Sequence, residues 1–262
     1  MSLNNSDIVV LGGGVIGLSI ALRMLHAGRE VVLIDPEEPG TGTSFGNAGT
    51  IAEYAVLPVG SPEIIRQLPS LLFNKNSPIA IKRSAILSLC PWLIRFLYQS
   101  LPKNAARNAQ AIASLLQGSR LRWEELSSQI GGSSIIKTNG NLYLYNSNEL
   151  LKLGIQDISK RKTLGLNAEI LNIDELKKLE PNLTFNEGGA SYFPDGAYMN
   201  DPGEMVKLIL DASIKKGCQV IKQAATKIER MSEGIKIHLD DQSTLMAKHL
   251  VVAAGAYSKK FA

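Results

Sequence analysis

Cysteine and histidine are scarce in this chain of 262 residues. Cys90 and Cys218 stand far apart with no CxxC, which excludes a disulfide framework and a cysteine-based zinc site. Both read as structural thiols in a reducing compartment. Three histidines, His26, His238 and His249, are too dispersed for a metal cluster, so no metal is expected. No run reaches the ~18 apolar residues of a membrane helix. Met1 to Asp7 is polar, and the apolar residues that follow are broken at once by glycine, so no secretory signal is read. The expectation is a cytoplasmic chain without a spanning helix. Net charge is only +4, too small a bias for a nucleic-acid binder. With 45% hydrophobic and 20% charged residues the chain is globular rather than disordered.

What is present alternates strand and helix. Asp7–Leu11 reads as a buried parallel strand, Val15–Ala27 as a helix stopped by Gly28, and Glu30–Asp35 as a second buried strand. Pro36–Gly49 is a glycine-rich loop. Pro91 fits the first position of a helix to about Leu101, and Asn104 fits the cap of one long helix in which Ile112, Leu115, Ser119, Trp123, Leu126 and Ile130 share a face. Ile135–Thr138, Asn139-Gly140 and Asn141–Tyr145 read as a β-hairpin with a type I′ turn. Helices are expected over Ser147–Leu164 and Asp174–Leu179, and a strand with a Pro194–Gly196 turn over Ala190–Met199. Asp201, Pro202 and Glu204 look like a cap, a first helical position and a capping box. Then come a strand over Gln219–Lys222, a meander through Lys227–Met231, Ile235–Leu239 and Thr244–Met246, and a last buried strand over His249–Ala254.

Gly12-Gly13-Gly14-Val15-Ile16-Gly17 contains GxGxxG. Gly12 permits the tight turn, Gly14 lets a pyrophosphate approach the backbone, and Gly17 lets helix and strand pack closely. The phosphates then meet the N–H groups at the helix start, beside Val15 and Ile16. Asp35 closes the second strand 18 residues after Gly17, where a carboxylate accepts bonds from ribose hydroxyls and repels a 2′-phosphate. The motif alone does not choose between FAD and NAD. The second strand, however, leads into other architecture for about 150 residues before the α/β pattern resumes. A split fold of this kind suits a bound flavin, so FAD is expected. The fold class is therefore α/β: a split, Rossmann-like FAD-binding domain (1–50 and 200–262) with an inserted α+β substrate domain (51–199).

VVLGGGVIGLSIALRMLHAGREVVLID near the start, TSFGNAGTI after it and HLVVAAGAYS at the end resemble the FAD-dependent D-amino-acid oxidase and dehydrogenase superfamily, most closely its bacterial D-amino-acid dehydrogenases. The resemblance implies that Thr43, Ser44, Asn47, Ala48 and Gly49 wrap the pyrophosphate and reach the flavin. It also implies that Thr226 meets the adenine through its backbone, and that Ala254 and Gly255 end the last strand against the FAD. Its reaction is oxidation of an amine next to a carboxylate, which requires no catalytic acid–base pair. No catalytic residue is nominated: His238 and His249 sit in alternating strand patterns, Tyr54 reads as a packing residue, and Asp195 and Asp201 read as turn and cap. Proteins of this family continue well beyond Ala262, so a C-terminally truncated, incomplete substrate domain is expected. A glycine-, sarcosine- or hydroxyproline-type flavin oxidase or dehydrogenase, or an inactive FAD-binding fragment, remains open, as does quinone or oxygen as electron acceptor.

From Ile64 to Trp123 the chain has nine basic residues and no acidic one, interleaved with Trp92, Phe96 and Tyr98. Such a stretch suits either the solvated face of a helical region or a peripheral contact with an anionic membrane through residues 64–123. No nucleic-acid partner is expected.

Overall fold

The computed structural model describes residues 2–66, 86–184 and 187–261. Its elements are β1 (Ser2–Leu11), α1 (Val15–His26), β2 (Val31–Ile34), β3 (Thr50–Ile51), α2 (Ile86–Gln99), α3 (Pro102–Leu116), α4 (Ser119–Gln129), β4 (Ile136–Lys137), β5 (Asn141–Tyr145), α5 (Asn148–Thr163), β6 (Glu169–Leu171), α6 (Ile173–Leu179), β7 (Gly189–Phe193), β8 (Ala197–Met199), α7 (Pro202–Lys215), β9 (Gln219–Ile221), β10 (Ala225–Met231), β11 (Gly234–Leu239) and β12 (Thr244–Val252). Two compact units result: Met1–Thr50 with Trp123–Lys137 and Tyr198–Ala262, and Ile51–Arg122 with Thr138–Ala197. Residues 123–137, expected in the inserted region, fall in the first unit instead, because β4 pairs with β8, Ile136 opposite Met199 and Lys137 opposite Tyr198.

The first unit is built on a six-stranded sheet in the order β10-β11-β12-β1-β2-β9. β12, β1, β2 and β9 run parallel, with Val10 between Val251 and Leu33. Ile8 to Leu11 and Val31 to Ile34 are all buried, because both faces of these strands are covered. On one face Val9, Leu11, Val32 and Ile34 join Ile237, Leu239, Leu245 and Ala247. Elsewhere α1 packs on α7: Leu18, Ala21 and Leu22 of the first helix and Met205, Val206 and Ile209 of the second are buried at helical spacing. Full burial of each Leu or Ile contributes about 1.5–3 kcal/mol. Thr244–Met246 and His249–Ala254, expected as two strands, are one strand here. Its first half pairs antiparallel with β11 while the whole of it runs parallel to β1. Asp201 caps α7 by accepting the Glu204 N–H at 2.8 Å. The return bond of a capping box is formed not there but at α6, between Asn172 and Glu175.

The second unit holds the antiparallel sheet β5-β7-β6, with α5 and α6 against it, and the helix pair α2–α3. Tyr54 stacks on Phe193 (4.2 Å between centroids, 14°), and Tyr143 meets both edge-on. The buried Arg161 donates to the Tyr54 carbonyl at 3.2 Å and lies over the Phe193 ring at 5.5 Å. Three local expectations fail in or beside this unit. Pro91 lies inside α2 rather than at its start. α3 opens at Pro102 after Leu101, while Asn104 donates to the Tyr98 carbonyl at 2.7 Å instead of capping. The expected long helix breaks at Gly118, whose φ of +74° ends the helical path between α3 and α4. The 135–145 hairpin is also absent. Asn139 keeps a negative φ, so no type I′ turn forms, and β5 pairs with β7. Likewise 190–199 divides into β7 and β8, which belong to different sheets around the turn at Gly196.

Candidate nucleotide-binding cleft

The carboxyl ends of β1, β2 and β12 lie side by side, which is where open α/β sheets take ligands. The Gly12 N–H donates to the Ile34 carbonyl at 2.8 Å, and the Ala253 N–H to the Leu11 carbonyl at 2.7 Å, so each strand's exit is tied to its neighbour. Gly12 has φ +106°, and a Cβ there would lie 2.4 Å from the Ala253 oxygen. A Cβ on Gly17 would lie 1.9 Å from the Gly12 oxygen. Both glycines are required by backbone contact, independent of any ligand.

Gly14 is the N-cap of α1, and no side chain caps it. The first turn of α1 holds no acidic residue of its own. Ser44 comes closest: its Oγ accepts the Val15 N–H at 2.9 Å. Asp35 accepts the Gly13 N–H at 2.6 Å through Oδ2 and the Glu37 N–H at 2.9 Å through Oδ1. It thus braces the glycine turn while each oxygen keeps a lone pair for another donor.

These parts enclose an open cleft of about 780 Å³. Of the residues singled out in the sequence, Gly12, Gly14, Val15, Ile16, Asp35, Thr43, Ser44, Ala254 and Gly255 line it. Gly17 lies beneath, packed on Gly12. Asn47, Ala48 and Gly49 are not on the wall: Asn47 accepts the Gly49 N–H at 2.7 Å and donates to the Ser44 carbonyl at 3.1 Å, closing the loop on itself. Thr226 is exposed, its hydroxyl bonded to the His238 carbonyl at 3.1 Å, and the wall is made by Ala224 and Ala225 instead. Sequence reasoning missed Glu38, Gln223, Tyr257, Lys260 and Phe261. Glu38 and Gln223 follow the ends of β2 and β9, where the rule for parallel strands could have found them. The last three lie in a 3-10 turn over Gly255–Phe261 that carries no motif. Among the described residues no group of three or more His, Cys, Asp or Glu is placed to hold a metal.

The family model described as "DAO: FAD dependent oxidoreductase" matches residues 7–262. The chain belongs to this FAD-dependent oxidoreductase family. It is 28% identical over 258 residues to a D-amino-acid oxidase of Bradyrhizobium diazoefficiens, covering 97% of this chain and 61% of that protein. It is 30% identical over 194 residues to D-amino acid dehydrogenase 2 of Ralstonia nicotianae, covering 72% and 46%. Glycine oxidase from Geobacillus kaustophilus superposes with a TM-score of 0.68 at 19% identity, over 99% of this chain and 58% of that one. The chain thus spans about half to three-fifths of the length of these relatives. The cleft suits the adenine dinucleotide of the family: the N-cap of α1 is a glycine with no capping side chain, Gly14 keeps the approach clear, and Asp35 lines the cleft just past the end of β2.

Proposed function

We propose that the whole protein is an FAD-dependent oxidoreductase acting on the C–N bond of a small amino acid, the D-enantiomer in the first instance. The observation that carries this reading is the convergence of an uncapped helix start, the Asp35 carboxylate and the end of β12 on one cleft. In it, Gly12, Gly14, Val15 and Ile16 hold the diphosphate against backbone N–H groups and Asp35 takes the ribose hydroxyls. Thr43 and Ser44 flank the diphosphate, and Ala254 and Gly255 bound it from the last strand. Asn47, Ala48 and Gly49 act by fixing the loop, and Gly17 by fixing the helix; Thr226 serves only through its neighbour Ala225. FAD, when bound, supplies the acceptor for the Cα hydride at flavin N5, leaving an imino acid that water hydrolyses to a keto acid and ammonia. The protein's part is to hold and exclude water, and no side chain of this chain is assigned a proton-transfer role.

The domain division that goes with this reading assigns the first unit to the cofactor and the second to the substrate. A peripheral contact with an anionic, inner-face membrane surface is part of the same proposal. It is supported by α2, where Trp92, Ile94 and Tyr98 are 57%, 68% and 60% exposed around the exposed Arg95. Residues 67–85 of that basic stretch lie outside the described residues. No described helix is long and apolar enough to cross a membrane.

Replacement of Gly14 by tryptophan tests the cofactor assignment: the yellow absorbance of bound flavin is expected to vanish, and stoichiometric flavin in the variant overturns it. Turnover of D-alanine or D-proline by the full-length protein with a dye acceptor tests the reaction. A substrate panel with glycine, sarcosine and hydroxyproline separates the related amine oxidases, and dye against oxygen separates dehydrogenase from oxidase. Absence of turnover in flavin-loaded protein leaves only a flavin-binding role. Salt-sensitive co-sedimentation with anionic liposomes is the expected result for the membrane contact; none means that α2 is a solvated face.

A further inference from the structure

Given the dinucleotide reading of the cleft, the order of the strands says where the base lies. β1, β2 and β9 are consecutive in the sheet. The diphosphate belongs at the start of α1, just past β1, and the ribose at Asp35, just past β2. The next strand outward is β9. The base of the same nucleotide therefore falls against the residues that leave it, Gln223 and Ala224, and against Ala225 at the start of β10. All three line the cleft. The two alanines offer a purine a small apolar wall, and Gln223 offers it an amide.

The polar groups at this end are held differently. Glu37 and Glu38 are exposed, and Glu38 is paired with Lys222. Gln223 is half-buried, and its amide is fixed from behind: Nε2 donates to Asp241 Oδ2 at 2.7 Å. Asp241 is fixed in turn, since its Oδ1 accepts the Ser243 N–H at 2.8 Å. The Asp240 N–H donates to the Ala224 carbonyl at 3.0 Å, which ties the β11–β12 turn to the cleft wall. The bonds from Ser243 and from Gln223 hold the Asp241 carboxyl below its ordinary value, so at neutral pH it is an anion that only accepts. The amide cannot turn over, because that would set an oxygen against the carboxylate in place of a hydrogen bond. Gln223 Oε1 is thus the end left over, and it is buried with no hydrogen-bond partner among the described residues. A buried acceptor without a donor is costly, and a ligand that brings an N–H to it recovers that cost.

Purines differ at the position that matters here. Adenine carries an amino group at C6, which donates; hypoxanthine and guanine carry a carbonyl, which set against Oε1 would leave two acceptors facing each other. We propose that Gln223 Oε1 accepts the 6-amino group of the cofactor's adenine and so selects adenine over 6-oxopurines, with Asp241 as the positioning residue that keeps the amide the right way round.

The test is calorimetric titration of adenosine diphosphate and inosine diphosphate into the full-length protein stripped of flavin. The adenine nucleotide is expected to bind about tenfold more tightly, the worth of one buried acceptor that finds its donor. Gln223→Leu should remove that preference by weakening the adenine nucleotide alone. In Asp241→Asn the Ser243 N–H keeps the new carbonyl oxygen on its own side, which sets the new NH2 against Gln223. The Gln223 amide should then turn over, present Nε2 to the base, and bring the preference for adenine to one or below. Equal affinities in the parent protein overturn the proposal. So does an equal loss of both nucleotides in Gln223→Leu, which would put the amide on the ribose or the diphosphate, and so does an unchanged preference in Asp241→Asn. Flavin absorbance of the parent reports the cofactor assignment separately: bound flavin with equal nucleotide affinities refutes only the role of Gln223, whereas failure to bind flavin and both nucleotides refutes the cleft itself.

Discussion

Gly17→Ala and Gly14→Ala are two single-methyl substitutions three residues apart, and they should fail in different ways. A Cβ on Gly17 would begin 1.9 Å from the Gly12 carbonyl oxygen and 3.3 Å from Val10 Cγ1. To reach even 3.0 Å from that oxygen, helix and turn must part by about 1.1 Å. The helix cannot slide away freely, since Leu18 and Leu22 on the same side are buried. Overpacking of this kind costs about 1–3 kcal/mol. Alanine's better helix propensity offsets up to about 1 kcal/mol of it, so a net loss near 1–2 kcal/mol is expected. For a chain of this size that lowers Tm by about 2–8 °C. A Cβ on Gly14 meets only Ser44 Oγ, at 3.3 Å, a side chain that can turn. Stability should change by less than about 1 kcal/mol, while the methyl stands where the diphosphate approaches. Thermal melts of flavin-free protein, followed by flavin titration of each variant, separate the two effects. Equal melting temperatures for Gly17→Ala and the parent would refute the rigid close approach, and unchanged flavin affinity in Gly14→Ala would refute the phosphate path.

Asp35→Ala leaves the Gly13 and Glu37 N–H groups without their acceptor and should cost about 1–3 kcal/mol in urea unfolding even without flavin, whereas a purely ligand-facing carboxylate would show no apoprotein effect. Asp201→Ala removes the N-cap of α7 and should cost about 0.5–2 kcal/mol, with Asp201→Ser recovering most of it; equal stability of the two variants would discount the cap. Burial raises the Cys218 thiol from 9.0 to about 11 and the Tyr54 phenol from 10.0 to about 12. Both ionise more easily in the unfolded chain, so their contribution is fully present below about pH 9 and is lost as pH rises toward 12. Urea unfolding across that range should show the decline, beginning about one unit later in Cys218→Ala.

The strand–turn–helix and its acid were legible because each step is local: an apolar run, a glycine turn, a 3.6-residue pattern and a carboxylate at a strand end. The close packing at Gly12 and Gly17 was visible in the sequence, since it excludes a side chain wherever such a turn forms. Asn139-Gly140 misled because a turn dipeptide states only a local preference. β5 gains more by pairing along all of β7, from Asn141 opposite Phe193 to Tyr145 opposite Gly189. The helix break at Gly118 was missed because the apolar spacing runs on across it, and the Glu53 carboxylate that stabilises the restart lies 65 residues away. The side-chain bonds of Asn47 within the loop and of Thr226 across the β10–β11 pair were not legible, because their partners are set by how the loop and the strand pair fold.

β12 lies beside β1 although Ile8 and His249 are separated by almost the entire chain. Closing a loop of that length costs about 5 kcal/mol of chain entropy before any contact repays it. A polypeptide still being made can fold its glycine turn early, yet one wall of the dinucleotide's berth does not exist until the residues after Val252 arrive. With the cofactor placed as proposed, flavin is expected to load late, and the interval before it is when the flank of β1 is open to pairing with another chain.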